Sequence, residues 1–187
     1  MTLKKSDGIV FFGDSITEMG NLPGGYVRIF TGRLNAELGM DAPEAINSGR
    51  SGDKVTDLLA RLDKDVLSES PSVVIVYISI NDVRHFSLPG HIGTPQDMFE
   101  REMTNLIGWI SSSCVRSILC TPSVIGELNN PGNPSDAVLD GYSEICRGIA
   151  AKIVITLRDL QQVFVSYLAK HNRENRPMAS SELMEYT

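Results

Sequence analysis

Three short polar blocks in the first half of the chain carry residue types that acyl transfer requires. Ser15 is a candidate nucleophile, and Gly13 beside it allows the backbone to turn sharply. The backbone N–H of Gly52 and the side-chain amide of Asn81 are candidate hydrogen-bond donors. Acyl transfer needs a nucleophile, and donors aimed at the oxyanion of the tetrahedral intermediate. If the fold brings these groups together, they predict a serine hydrolase site.

Each of these residues also has an ordinary structural interpretation. A serine or asparagine after a strand is commonly a helix cap or a turn residue. Ser15 and Thr17 could instead cradle a phosphate at a helix N-terminus, which would suit a flavodoxin-like phosphate or nucleotide binder. The carboxylates of Asp14 and Glu18 would repel a phosphate, and the chain contains neither a P-loop nor a G-x-G-x-x-G motif. Acyl transfer is therefore the favoured interpretation.

The hydrophobic pattern predicts the elements that must position these residues. Apolar runs indicate five strands, at Gly8–Phe12, Glu44–Ile46, Val73–Ile78, Ser117–Cys120 and Ile153–Leu157. Apolar residues at helical spacing lie between the runs and after the last one. This alternation predicts an α/β fold of three layers, a flavodoxin-like five-stranded parallel sheet between helices. The polar blocks follow the first three strands, at the carboxyl ends where such sheets bind ligands.

The helix after the second block is marked by a clear apolar stripe. Val55, Leu58, Leu59 and Leu62 recur at helical spacing, and Asp53 is the predicted N-cap. The last helix is predicted over Leu160–His171, because its apolar residues also follow the helical period.

The three blocks resemble those of a known enzyme family. Gly13-Asp14-Ser15-Ile16-Thr17, Ser51-Gly52-Asp53 and Asn81-Asp82 resemble the first three blocks of the SGNH (GDSL-type) hydrolases, in order and from Ile9 to about Arg173. The resemblance implies that Ser15 is the nucleophile and that Gly52 and Asn81 form the oxyanion hole. It further implies a small-molecule ester substrate and no metal or organic cofactor. One departure is Ser79, where the family's third block has glycine.

The family's fourth block, Asp-x-x-His, supplies the general base and has no match after Leu160. We expect it beyond Thr187, so that residues 1–187 form a single but C-terminally incomplete domain. His85, in the string Asp82-Val83-Arg84-His85, is the one candidate substitute. His91 is predicted to be a loop residue and His171 a structural one on the last helix. An alternative is a non-catalytic relative that binds acyl or glycan ligands in the same cleft.

Composition excludes several other classes of protein. The 187 residues are 42% hydrophobic and 21% charged, which suits one globular domain. A net charge of −6 argues against nucleic-acid binding, and no apolar run approaches the ~18 residues of a membrane span. The three cysteines lack C-x-x-C spacing, so a reducing, cytoplasmic location is expected. The sequence indicates neither the oligomeric state nor the acyl and alcohol parts of the substrate.

Overall fold

Five parallel strands form one sheet in the order β2-β1-β3-β4-β5. The structure is a computed structural model that describes residues 4–125 and 134–172. The strands are β1 (Ile9–Gly13), β2 (Ala45–Gly49), β3 (Val73–Tyr77), β4 (Arg116–Cys120) and β5 (Thr156–Arg158). The helices are α1 (Ser15–Glu18), α2 (Tyr26–Leu38), α3 (Val55–Asp65), α4 (Ile80–Arg84), α5 (Gln96–Ser112), α6 (Pro134–Ile153) and α7 (Leu160–His171). The predicted three-layer α/β fold is thus confirmed.

The boundaries differ from the predicted ones at the second and fifth strands. β2 extends to Gly49, because its polar carboxyl half still pairs with β1. Of the apolar run predicted as the fifth strand, Ile153 ends α6, Val154 and Ile155 form the turn after it, and only the last two residues lie in β5. Val154 has a left-handed φ of 59°, and the N–H of Ile155 donates to the carbonyl of Ala150 at 3.1 Å. These residues close the helix end, so β5 starts at Thr156.

The strand order reverses between β1 and β3. From β1 the chain moves to β2 on one side, and it then returns to β3 on the other side. Val10 of β1 therefore pairs with both Ile46 and Val74. This reversal is the point at which open parallel sheets form a crevice beyond their carboxyl ends. The segments that follow β1, β2 and β3 meet there.

The main core lies between one face of the sheet and helices α3, α5 and α6. It contains Val10, Phe12, Val74, Val76, Leu58, Leu62, Phe99, Leu106 and Tyr142, among other fully or nearly fully buried side chains. Burying that face fixes the strand ends, and with them the loops of the crevice. On the opposite face, Phe11 packs edge-to-face against Tyr26 and Phe30 of α2. An open apolar groove of about 560 Å³ runs along this face beside Phe164 of α7.

Across the described residues, no helix is both long enough and apolar enough to cross a membrane.

Candidate active site

Ser15 is the first residue of helix α1, immediately beyond the carboxyl end of β1. Asp14, rather than Ser15, caps this helix, because the Asp14 carboxylate accepts a hydrogen bond from the Ile16 N–H at 2.9 Å. The Ser15 side chain is half-buried, and its hydroxyl has no hydrogen-bond partner among residues 4–125 and 134–172. The serine is therefore held by the backbone while its hydroxyl remains free to react.

Gly13 allows α1 to pack closely on the strand ends. A Cβ atom at this position would collide with the carbonyl oxygen of Tyr77 and with the Thr17 hydroxyl. Its φ is not positive, so close packing, rather than the sharp turn expected from the sequence, explains the glycine. Thr17 is itself fixed by a 2.9 Å hydrogen bond to the hydroxyl of Tyr26. These contacts determine where Ser15 stands relative to β3.

Gly52 lies in the exposed loop after β2 and has a left-handed φ of 84°. A Cβ atom here would meet nothing within 4 Å, so the space in front of the backbone is open. Within the described residues, the N–H of Gly52 has no hydrogen-bond acceptor. The neighbouring Ser51 N–H donates to the Glu18 carboxylate at 2.9 Å, which ties this loop to α1. Gly52 thus offers a free donor beside the helix that carries Ser15.

Asn81 is connected to the same loop from the other side of β1. It is the second residue of α4, and its side-chain amide donates to the carbonyl oxygen of Asp53 at 3.0 Å. An amide carries two N–H groups, so one remains for a ligand. Asp82 next to it is buried, and its carboxylate accepts the Val55 N–H at 3.2 and 3.3 Å. The starts of α3 and α4 are therefore joined, and Gly52 and Asn81 belong to one hydrogen-bonded unit.

Ser79 precedes this unit in a backbone conformation that favours glycine. Its φ is 130°, and its side chain is fully buried with the hydroxyl donating to the carbonyl of Ile78. Such a conformation is strained for a residue that has a Cβ. The departure from the family's glycine therefore affects backbone energy two residues before Asn81.

Three buried carboxyl groups lie beneath the site. Burial, together with the nearby charges of Asp82 and Asp53, raises the pKa of Asp14 to about 7. Burial also raises the pKa of Asp82 to about 6, against hydrogen bonds from Thr94 and Val55. The pKa of Asp53 is raised by burial and opposed by its hydrogen bond to Arg61. Asp14 is thus partly protonated near neutral pH.

The three histidines of the chain all lie in the described part, and none forms a hydrogen bond with Ser15. His85 is buried, and its ring lies 4.6 Å from that of His91. Burial lowers the pKa of His85. The Asp82 carboxylate is engaged by Val55, so the Asp82-x-x-His85 string forms no Asp–His pair within the described contacts. His171 stacks on Tyr167 near the end of α7.

Several residues that build the site were not identified from the sequence. Asp53 is not the N-cap of α3, which is Lys54; it forms a salt bridge at 2.6 Å with Arg61. The available signal was the position of Arg61 inside the apolar stripe of α3, where a buried partner is needed. Asn47 donates to the carbonyl of Thr17 at 2.6 Å and so holds α1 against β2.

Comparison of the sequence with known proteins identifies related esterases. The sequence profile of the GDSL-like lipase/acylhydrolase family matches residues 11–179. An acetylxylan esterase of Geobacillus stearothermophilus is 31% identical over 183 residues, which cover 88% of this chain and 80% of that enzyme.

Comparison of the structure gives the same relationship. A crystal structure of an acetyl xylan esterase superposes with a TM-score of 0.91 at 33% identity, covering 96% of this chain and 94% of the other. An acetylxylan esterase structure from Geobacillus stearothermophilus gives a TM-score of 0.82 at 25% identity, with 98% and 92% covered. Two more structures of that enzyme are described as catalytic mutants, with a serine or a histidine replaced by alanine.

Proposed function

The chain belongs to the GDSL-like lipase/acylhydrolase family, and from that premise we propose that it removes acetyl groups from acetylated carbohydrate through an acyl-enzyme on Ser15. The observation that carries the proposal is that three polar groups at the strand reversal have no hydrogen-bond partner in the described residues. They are the Ser15 hydroxyl, the Gly52 N–H and one N–H of the Asn81 amide. The related acetylxylan esterases support acetyl as the acyl group.

In the proposed mechanism, the Ser15 hydroxyl attacks the ester carbonyl as its proton passes to a base. The negative charge that develops on the carbonyl oxygen is stabilised by the Gly52 N–H and the Asn81 amide, with the Ser15 N–H as a third donor. The tetrahedral intermediate collapses, the carbohydrate hydroxyl leaves with a proton, and the acetyl group stays on Ser15. Water activated by the same base then releases acetate.

We propose that the base is a histidine outside the 187 residues, in the Asp-x-x-His block of the family. The contacts of His85, His91 and His171 support this proposal, since each ring is engaged away from Ser15. The catalytic histidine mutant of the Geobacillus enzyme also supports it. Serine without a base is a weak nucleophile, so the proposal implies slow turnover by residues 1–187 alone.

The test is intact mass after incubation with a fluorophosphonate, for residues 1–187 and for a longer product of the same gene. Ser15→Ala removes the proposed nucleophile, and Ser111→Ala is the control because Ser111 is an exposed serine near the carboxyl end of α5, outside the loops of the site. We expect rapid labelling of the longer chain and release of acetate from acetylated xylooligosaccharides, both lost only in Ser15→Ala. Labelling of the Ser15→Ala chain at the parent rate would refute Ser15 as nucleophile.

A non-catalytic acyl or glycan binder is the second candidate. It is favoured by the absence of a histidine partner for the Ser15 hydroxyl in the described residues. It predicts that acetylated xylooligosaccharides shift the NMR signals of the site, while no acetate is released by either chain.

A further inference from the structure

The guanidinium of Arg61 lies buried directly beneath the proposed oxyanion hole. Arg61 projects from helix α3, and its side chain is 8% exposed. A charged group is rarely buried to this degree unless every donor is paired. Arginine has five N–H donors in a planar fork. Here all five have acceptors, so the group is held in one orientation.

These acceptors belong to the segments that carry the proposed catalytic groups. Nη2 donates to the carbonyls of Gly13 and Ser48 at 3.0 Å each. Gly13 is the last residue of β1 and Ser48 is the next-to-last residue of β2. Nε donates to the Asp53 carboxylate at 2.6 Å, directly after Gly52. The planar group therefore joins the strand that leads to Ser15 with the loop that contains Gly52.

Three further contacts complete the arrangement. Nη1 donates to Asp65 at 3.1 Å and to the Ser48 hydroxyl at 3.3 Å, and the guanidinium carbon lies 4.4 Å from the centre of the Phe12 ring. The carbonyl of Asp53, whose carboxylate Arg61 binds, is also the acceptor for the Asn81 amide. The connection from Arg61 thus reaches all three proposed catalytic groups without touching the space in front of them.

We infer that Arg61 is a positioning residue that fixes the spacing between Ser15 and the oxyanion donors Gly52 and Asn81. The inference rests on the proposed function, because it concerns the geometry of the oxyanion hole that the proposed mechanism requires. Donors of an oxyanion hole act only if they are held at the correct distance from the developing charge. A point charge such as lysine could neutralise Asp53, but it could not bridge two strand ends and a loop.

The experiment compares Arg61→Lys with Arg147→Lys. Arg147 on α6 also has a hydrogen-bonded network, to Asp159 at 2.8 and 2.9 Å, but this network joins the β4–β5 edge instead. Native-state hydrogen exchange is measured in residues 1–187, and kcat and KM for an acetyl ester are measured in the chain that turns over. Lysine keeps the charge, so both variants are expected to fold, which a thermal unfolding curve checks.

In Arg61→Lys we expect exchange to accelerate at least about tenfold in peptides that cover residues 13–18 and 47–54, and not in α6. We expect kcat to fall about 10- to 100-fold with KM within about threefold, because only the transition state needs aligned donors. Arg147→Lys should change neither quantity.

Two results would overturn the inference. One is unchanged exchange in these peptides, and the other is accelerated exchange with kcat within twofold of the parent. If the parent hydrolyses no acetyl ester, the proposed function fails, and the exchange measurement still decides whether Arg61 holds the loops.

Discussion

Replacing Gly52 by alanine tests the proposed oxyanion hole at a single backbone position. Gly52 has a φ of 84° with open space around its Cα, so an added methyl group meets no protein atom. The change therefore adds backbone strain without a steric clash inside the protein. We expect Gly52→Ala to lower the free energy of unfolding, kcat/KM, or each in part, depending on how far the loop keeps its conformation.

The size of the effect follows from the backbone conformation. A left-handed conformation costs a residue with a Cβ about 1–2 kcal/mol. If the loop keeps its conformation, the free energy of unfolding falls by that amount, which lowers Tm by about 2–4 °C per kcal/mol in a chain of this size. If the loop relaxes, the same energy lowers the fraction of correctly oriented N–H about 5- to 30-fold, and kcat/KM falls accordingly.

The matched control is Gly39→Ala. Gly39 follows α2 and leads to the amino end of β2, at the opposite end of the sheet, and it has a positive φ of 57° with open space. Thermal and denaturant unfolding give the stability of both variants, and acetate release gives kcat/KM in the chain that turns over. Gly39→Ala should lose at least about 1 kcal/mol while its kcat/KM stays within about twofold.

Two outcomes would contradict this reasoning. If Gly52→Ala matches the parent in both stability and kcat/KM, the loop does not hold a strained donor. If Gly39→Ala loses as much kcat/KM as Gly52→Ala, the loss reflects general destabilisation and the oxyanion assignment fails.

Two other substitutions test the strain and the buried charge near the site. Ser79 has a φ of 130°, so Ser79→Gly should give a more stable protein than Ser79→Ala by about 1 kcal/mol, whereas glycine is usually the less stable of the two. Denaturant unfolding measures the difference, and an alanine variant at least as stable as the glycine variant would contradict the strain. The pKa of Asp14 is about 7 in the folded protein and 3.8 ordinarily. The free energy of unfolding of the parent should therefore fall by up to about 4 kcal/mol as pH rises from about 4 to 7. Asp14→Asn cannot ionise but can still accept the Ile16 N–H. Its Tm advantage should therefore grow over this range and level off above it, and a pH-independent difference would rule the shift out.

The sequence predicted the sheet and the position of the candidate site residues in it because both depend on local patterns. Apolar runs alternating with helical stripes indicate parallel strands, and the blocks with Ser15, Gly52 and Asn81 follow the first three. The hydrogen bonds of Arg61 could not be predicted, because its acceptors Gly13 and Ser48 lie 48 and 13 residues away in the sequence. The assignment of Asp53 as an N-cap failed because its carboxylate is bound by Arg61 of the same helix instead of by the first backbone N–H groups.

Local pattern was also insufficient at the fifth strand and at His85. The run Ile153–Leu157 is mostly β-branched, but its first residues complete the end of α6. Where the helix ends depends on how α6 packs, which the local sequence does not show. The string Asp82-x-x-His85 has the spacing of a catalytic pair. Its aspartate is instead bound by the Val55 N–H, from a helix that the string itself does not contain.

The position of β1 in the sheet has a consequence for how the chain folds. Val10 is paired on one side with Ile46 and on the other with Val74. Pairings between distant parts of a chain form slowly, because loop-closure entropy is lost before the contacts form. During synthesis, β1 leaves the ribosome first but must wait for both partners before its edges are satisfied. The proposed nucleophile Ser15 is thus synthesised early but reaches its final position late. A nascent chain that ends before β3 carries Ser15 directly after a strand with an unpaired edge, which favours aggregation.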